Sequence, residues 1–200
     1  MSIKSVKEHL SIIAPDLEIL EFKESTATVE QAANAHNVEK GQIVKTIALI
    51  VEKPILLMTS GNVKIDNKKY KNFFKKKAKM LTANETLQIT SHPIGGVCPF
   101  GLPNKLDIYY DKSLNNFEIV IPAAGSTNSS VKVQTKRLIE LTSAFEVIPK
   151  CSNNSLYGPL APKEFIPKKF SLETYFSHPF TAPASIANSN LFPKIFIFSF

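Results

Sequence analysis

Neither the two cysteines nor the four histidines of this 200-residue chain fall into an organising pattern. Cys98 and Cys151 are too few for a disulfide framework and lack metal-ligand spacing, which fits a reducing cytoplasm. His9, His36, His92 and His178 show no H-x-x-x-H or Cys/His grouping, so no metal is expected. The seven glycines never take P-loop or dinucleotide spacing, which disfavours ATP and NAD and leaves no cofactor implied. The first residues, Met1 to Glu8, are charged and lack an apolar signal core, which argues against secretion. Phe192 to Phe200 is apolar but too short to span a bilayer, so no membrane partner is expected. Asp66, Asp107 and Asp111 read as a helix cap and as strand-end or turn residues rather than as a paired-carboxylate site.

What is present is an ordinary globular composition, 44% hydrophobic and 20% charged, at a length that buries a useful core in one domain plus an appendage. The formal charge of +7 has a location. Between Lys64 and Lys79 stand eight lysines against the single acid Asp66, so this segment carries the whole excess. Tyr70, Phe73 and Phe74 are interleaved with Lys68, Lys69, Lys71, Lys75, Lys76 and Lys77, a pattern that suits a polyanion such as a nucleic-acid backbone. A solvated lysine-rich helix whose two phenylalanines anchor it to the core is the competing reading.

Along the chain, Ile3, Val6, Leu10 and Ile13 have helical spacing, and a strand pattern follows over residues 17–22. Thr28 and Gln31 form a capping box for a short helix ending near Asn37. Residues 43–51 give the strongest strand signal and turn at Lys53-Pro54 into a second apolar run, Ile55 to Met58, as a core hairpin. Asp66 can cap the lysine-rich helix, and Thr82 with Glu85 is a second capping box. Residues 106–110, 117–121 and 131–133 read as strands, and a helix runs from Thr135 to Ser143. The order is neither a βαβ repeat nor segregated halves, which predicts an α+β domain with a mixed, curved sheet. Beyond Lys150 lie six of the 13 prolines and ten of the 19 aromatics without helix or strand period, so the domain is placed at residues 1–150 and a Pro/Phe-rich extension at 151–200.

Two features could carry chemistry. The segment His92 to Gly101 contains no charged residue but holds Gly95, Gly96 and Gly101 between prolines. Adjacent glycines can expose backbone N–H groups to an oxyanion or phosphate, or can simply build a rigid loop. The other feature is Lys45, which shares a strand face with Ile43, Ile47 and Leu49. A lysine there lines a ligand pocket, faces solvent, or snorkels to the surface. Cys98 has only His92 nearby and no third orienting group, so it is a buried structural thiol rather than a nucleophile.

Ser25 to Ala33, Gly41 to Thr46, Gly95 to Gly101 and Ala123-Ala124-Gly125 occur in an order and spacing that resemble the YbaK/prolyl-tRNA-editing domain family, over about residues 3–148. The resemblance implies a barrel-like mixed sheet flanked by helices and a trans-acting deacylase of mischarged aminoacyl-tRNA. Carried over by position, Lys45 is the pocket lysine that holds the aminoacylated end, and Gly95 and Pro99 bound a G-x-x-x-P loop. The implied site comprises Lys45, Gly95 and Gly96 for catalysis, with Thr26, Thr46, Pro99, Ala124 and Gly125 binding substrate. The lysines at 68, 69, 71, 75, 76 and 77 would take the tRNA backbone. An activated ester needs a positioned water and donors at the oxyanion, and in the family the neighbouring ribose hydroxyl is thought to assist that water. Implied partners are aminoacyl-tRNA and an aminoacyl-tRNA synthetase, with the protein itself a cytoplasmic monomer or weak homodimer. The alternatives are a non-catalytic nucleic-acid- or protein-binding module with the same fold and a hydrolase of another small acyl ester. Residues 123–128 depart from the family, where many members have Ser-Gly or Ala-Gly followed by a basic residue, so amino-acid specificity does not transfer.

Overall fold

Helix α1 (Ser2–Ile13) forms because Val6 and Leu10, one turn apart, bury one stripe almost completely while the opposite face stays wet. The computed structural model describes residues 2–147; the extension expected at 151–200 lies outside the described residues. After strand β1 (Ile19–Glu21), α2 (Val29–His36) is opened by the Thr28–Gln31 capping box and closed by Asn37 in the left-handed conformation. Strands β2 (Ile43–Ile50) and β3 (Pro54–Ser60) form the expected antiparallel hairpin. Asp66 caps α3 (Asn67–Phe74) by accepting from the N–H groups of Lys68 and Lys69, and β4 (Lys79–Met80) follows. Helix α4 (Ala83–Thr90) starts with the second capping box. Strands β5 (Asp107–Asp111), β6 (Ile119–Pro122), β7 (Ser129–Val131) and β8 (Val133–Gln134) lead into α5 (Thr135–Thr142) and β9 (Phe145–Val147).

The strands make a seven-stranded sheet ordered β8-β6-β2-β3-β5-β9, with β4 also pairing β2, and a separate β1–β7 ribbon. Parallel and antiparallel pairs are mixed across it, giving the mixed, barrel-like α+β fold expected from the element order. The main core gathers Leu10, Leu56, Met58, Phe100, Val120 and Leu138, each at most 2% exposed. Each such side chain contributes about 1.5–3 kcal/mol through removal from water. A second cluster under α3 holds Leu49, Leu57 and Tyr70, with Phe73 and Phe74 packed edge-on around Tyr109. A third lies under α2, between Ala32, Ala33, Ile43 and Ile121.

Three local expectations are corrected. The lysine-rich helix stops at Phe74, with Lys75 left-handed at its C-cap, so Lys75, Lys76 and Lys77 lie beyond it. The strand expected over 131–133 is two strands in two sheets, broken at Lys132. Strand β9 was not anticipated: three residues pairing at a sheet edge are too few for a period.

Candidate functional site

Strand β2 is flanked on one edge by two short neighbours that do not meet. It pairs with β6 only at Ile43 and Val44, and with β4 only at Leu49 and Ile50. The intervening edge opens into a cavity of about 190 Å³. The Ala48 carbonyl on that edge accepts from the Leu81 N–H, and alternation along the strand points the N–H and C=O of Thr46 to the same side. The Thr46 hydroxyl oxygen, also buried here, has no hydrogen-bond partner among the described residues.

Lys45 lines the same cavity from the other face of β2. It is half-buried, and its Nζ donates to the Val63 carbonyl. Burial lowers its pKa, opposed by the negative charge of Glu30. The pocket reading of Lys45 therefore fits the geometry better than a solvent-facing one.

The remaining walls are three loops drawn together by small residues. The Thr26 N–H donates to the Thr127 carbonyl at 2.7 Å, and the Gly125 N–H donates to the Gly96 carbonyl at 3.0 Å. Gly95 has φ +85°, and a Cβ added to it would come 2.7 Å from the Ala27 Cβ. One added to Gly96 would meet the Ser126 backbone at 2.7 Å. The two glycines thus allow the loops to approach one another, which is a packing requirement as much as a ligand-binding one.

This separates the expected site residues. Lys45, Thr26, Thr46 and Gly95 meet at the cavity. The Gly95 N–H makes no hydrogen bond within the described residues, whereas the Gly96 N–H donates to Pro93 at 2.9 Å and closes a turn. The expected pair of free donors at Gly95 and Gly96 is therefore reduced to one. Pro99, Ala124 and Gly125 are buried and absent from the cavity wall. Ala124 is held behind that wall by its N–H bond to Ser129, and in place of this pair Ala123, Ser129 and Ser130 line the cavity.

Ser130 and His36 were missed by sequence reasoning. Ser130 is 3% exposed, lines the cavity, and its Oγ lies 2.6 Å from His36 Nε2. Burial, reinforced by the charge of Lys132, holds the imidazole below the usual histidine pKa. The only sequence signal was the i, i+4 spacing of Ala32 and His36 on one helix face, and nothing local pairs it with a serine 94 residues away.

Cys98 and His92 are buried together, with the Cys98 N–H donating to His92 Nδ1 at 3.3 Å. Burial pushes the thiol up to about 12 and the imidazole down to about 4, which removes both from nucleophilic or cationic roles. Lys68, Lys69, Lys71, Lys75, Lys76 and Lys77 are all exposed, and Lys76 pairs with Glu52 at 2.6 Å. Their aromatic neighbours face inward, so Tyr70, Phe73 and Phe74 anchor α3 rather than offer faces to bases. The lysine-rich segment begins at Lys64, directly after the Val63 carbonyl that holds Lys45. Among the described residues no group of three His, Cys, Asp or Glu side chains could share a metal ion, and no helix is long and apolar enough to cross a membrane.

A mixed α+β sheet whose interrupted strand edge opens into a cavity beside one half-buried lysine, a main-chain loop and a serine–histidine pair outlines the class of domain. The model of the aminoacyl-tRNA editing domain matches residues 23–141, and the chain belongs to that family. The uncharacterized protein YwhH of Bacillus subtilis (strain 168) is 42% identical over 155 residues, covering 76% of this chain and 99% of that protein. EbsC of Enterococcus faecalis, named as a candidate Cys-tRNA(Pro)/Cys-tRNA(Cys) deacylase, is 26% identical over 60% of this chain and 76% of its own. The crystal structure of a candidate trans-editing enzyme for prolyl tRNA synthetase superposes with a TM-score of 0.69 at 30% identity, covering 72% of this chain and 94% of that one.

Proposed function

We propose that this domain, assigned to residues 1–150, hydrolyses the ester of mischarged aminoacyl-tRNA in trans, in the cytoplasm where such substrates arise. The observation that carries the reading is the meeting of the Lys45 ammonium and the free Gly95 N–H in one cavity at the open edge of β2. Family membership and the names of its relatives support it.

In this reading Lys45 exchanges its bond to the Val63 carbonyl for a phosphate or carbonyl oxygen of the aminoacylated end, a stronger, charge-assisted partner. Water adds to the acyl carbon, the Gly95 N–H donates to the developing oxyanion, and the acyl C–O bond breaks. The ribose hydroxyl beside the ester relays the water's proton to the leaving oxygen, and free amino acid and tRNA depart. No side-chain base is required, because the ester is already activated and the cavity supplies position and charge stabilisation. The exposed lysines at 68, 69, 71, 75, 76 and 77 lie along the tRNA backbone. A synthetase that charges the tRNA is the natural second partner, and the protein acts as a monomer or weak homodimer.

Incubation of the purified chain with a panel of correctly and incorrectly charged tRNAs tests this. Release of amino acid from at least one mischarged tRNA is the expected result. Retention of every ester, with tRNA still bound, would replace the enzyme by a non-catalytic tRNA-binding module. Release only from small acyl esters would make it a different esterase.

A further inference from the structure

The polar atoms on the α2 side of the cavity have no place in the hydrolytic steps above. Ile43, Ile121 and Ala32 form an apolar wall there, none more than 6% exposed, and Ser130 interrupts it. The Ser130 hydroxyl is 2.6 Å from His36 Nε2, and the His36 ring is fixed edge-on against Phe22 with centroids 4.8 Å apart. In the Nδ1–H tautomer of the neutral imidazole, Nε2 accepts the only hydrogen that Ser130 has to give, whereas in the Nε2–H tautomer the serine oxygen accepts instead. With the Nδ1–H tautomer the serine oxygen faces the cavity with lone pairs alone. A ligand group seated there must donate.

Resting on the reading of this cavity as an aminoacyl-ester site, we infer that His36 holds the Nδ1–H tautomer and that the Ser130–His36 pair thereby selects an acyl side chain bearing a hydroxyl, of the seryl or threonyl kind, over its apolar counterpart. Three features of the cavity favour a side-chain hydroxyl over the α-ammonium that every aminoacyl group carries. The surrounding wall is apolar, so an ammonium seated there would be poorly solvated. Lys45 already brings one positive charge into the same small space. The Thr46 hydroxyl, buried and unpartnered beside the cavity, adds polarity there without adding charge. Hydroxyl selection of this type is sharp because an analogue lacking the donor leaves the buried acceptor unpaired.

The probes are two adenosines carrying serine or alanine through an amide in place of the scissile ester, titrated against the full chain. The seryl amide should bind about tenfold more tightly than the alanyl amide. Ser130→Ala should bring the two within about twofold by weakening the seryl amide alone, and His36→Gln should narrow the gap in the same direction. Equal binding to the unaltered protein overturns the inference, and so does a Ser130→Ala loss shared equally by both amides. Hydrolysis of charged tRNAs without a seryl preference would sink this selection and leave the proposed activity standing. Failure to bind either amide, with no tRNA hydrolysed, would remove both.

Discussion

Residues 92–101 carry no lysine, arginine or carboxylate and bury His92, Cys98 and Phe100 completely, whereas residues 64–79 carry eight lysines and expose every one. The two stretches flank the same cavity in different senses. The first supplies Gly95 to its wall, and the second begins beside the carbonyl that holds Lys45. A buried wall acts through a few fixed groups whose contributions cannot be shared out. An exposed run of cations acts through a summed field, in which each member is replaceable and screened by salt. Removing one group from the wall should therefore be felt sharply, and removing one from the run should be felt little.

Lys45 tests that contrast most severely, being a lysine with the setting of the wall. Lys45→Ala should lower kcat/KM for a mischarged tRNA by about 10²–10³ while leaving thermal stability nearly unchanged. A loss of only a few-fold in single-turnover assays would place Lys45 with the replaceable cations. His92 is the next largest effect, and it bears on stability. Its pKa falls from 6.5 to about 4 on burial, so the unfolded chain binds a proton over that interval and the folded chain does not. Stability should accordingly fall by up to roughly 3 kcal/mol as pH drops from about 6.5 to about 4, and this slope should flatten in His92→Asn. Urea titrations across that pH range measure it, and an unchanged slope in the variant would show that His92 is not the source.

Within the lysine run the expected effects are smaller and graded. Converting Lys75, Lys76 and Lys77 together to Gln should weaken tRNA binding and reduce the slope of log affinity against log salt by about 2–3. An unaltered salt slope would return the segment to a solvated surface. Smallest of all, Glu52→Gln releases Lys76 from its exposed ion pair and should raise tRNA affinity by less than about twofold. A large gain would mean that the field is not additive.

Local chemistry made much of the fold readable. Both capping boxes, the Asp66 cap and the β2–β3 hairpin depend on residues within a few positions of one another, so their signals are contiguous. The end of α3 was not readable because Lys75 adopts a left-handed conformation that its side chain does not announce. At the cavity, Lys45 stood out because a cation among apolar neighbours violates a pattern. Ser130 and His36 violate none, and they meet only because α2 packs beside β7. The commitment of the Gly96 N–H to Pro93 is likewise invisible in a pair of glycines, since either donor of such a pair can close the turn.

The gap in pairing along β2 has a consequence for how such a site records itself. Thr46 and Gly95 present main-chain groups at the cavity, and every amino acid except proline carries the same N–H. Alanine scanning would pass over these donors without registering them, and sequence drift at Thr46 could leave that N–H untouched. Replacing single amides by esters in a semisynthetic chain deletes the donor and keeps the side chain. Such backbone editing would expose a contribution that side-chain genetics leaves silent.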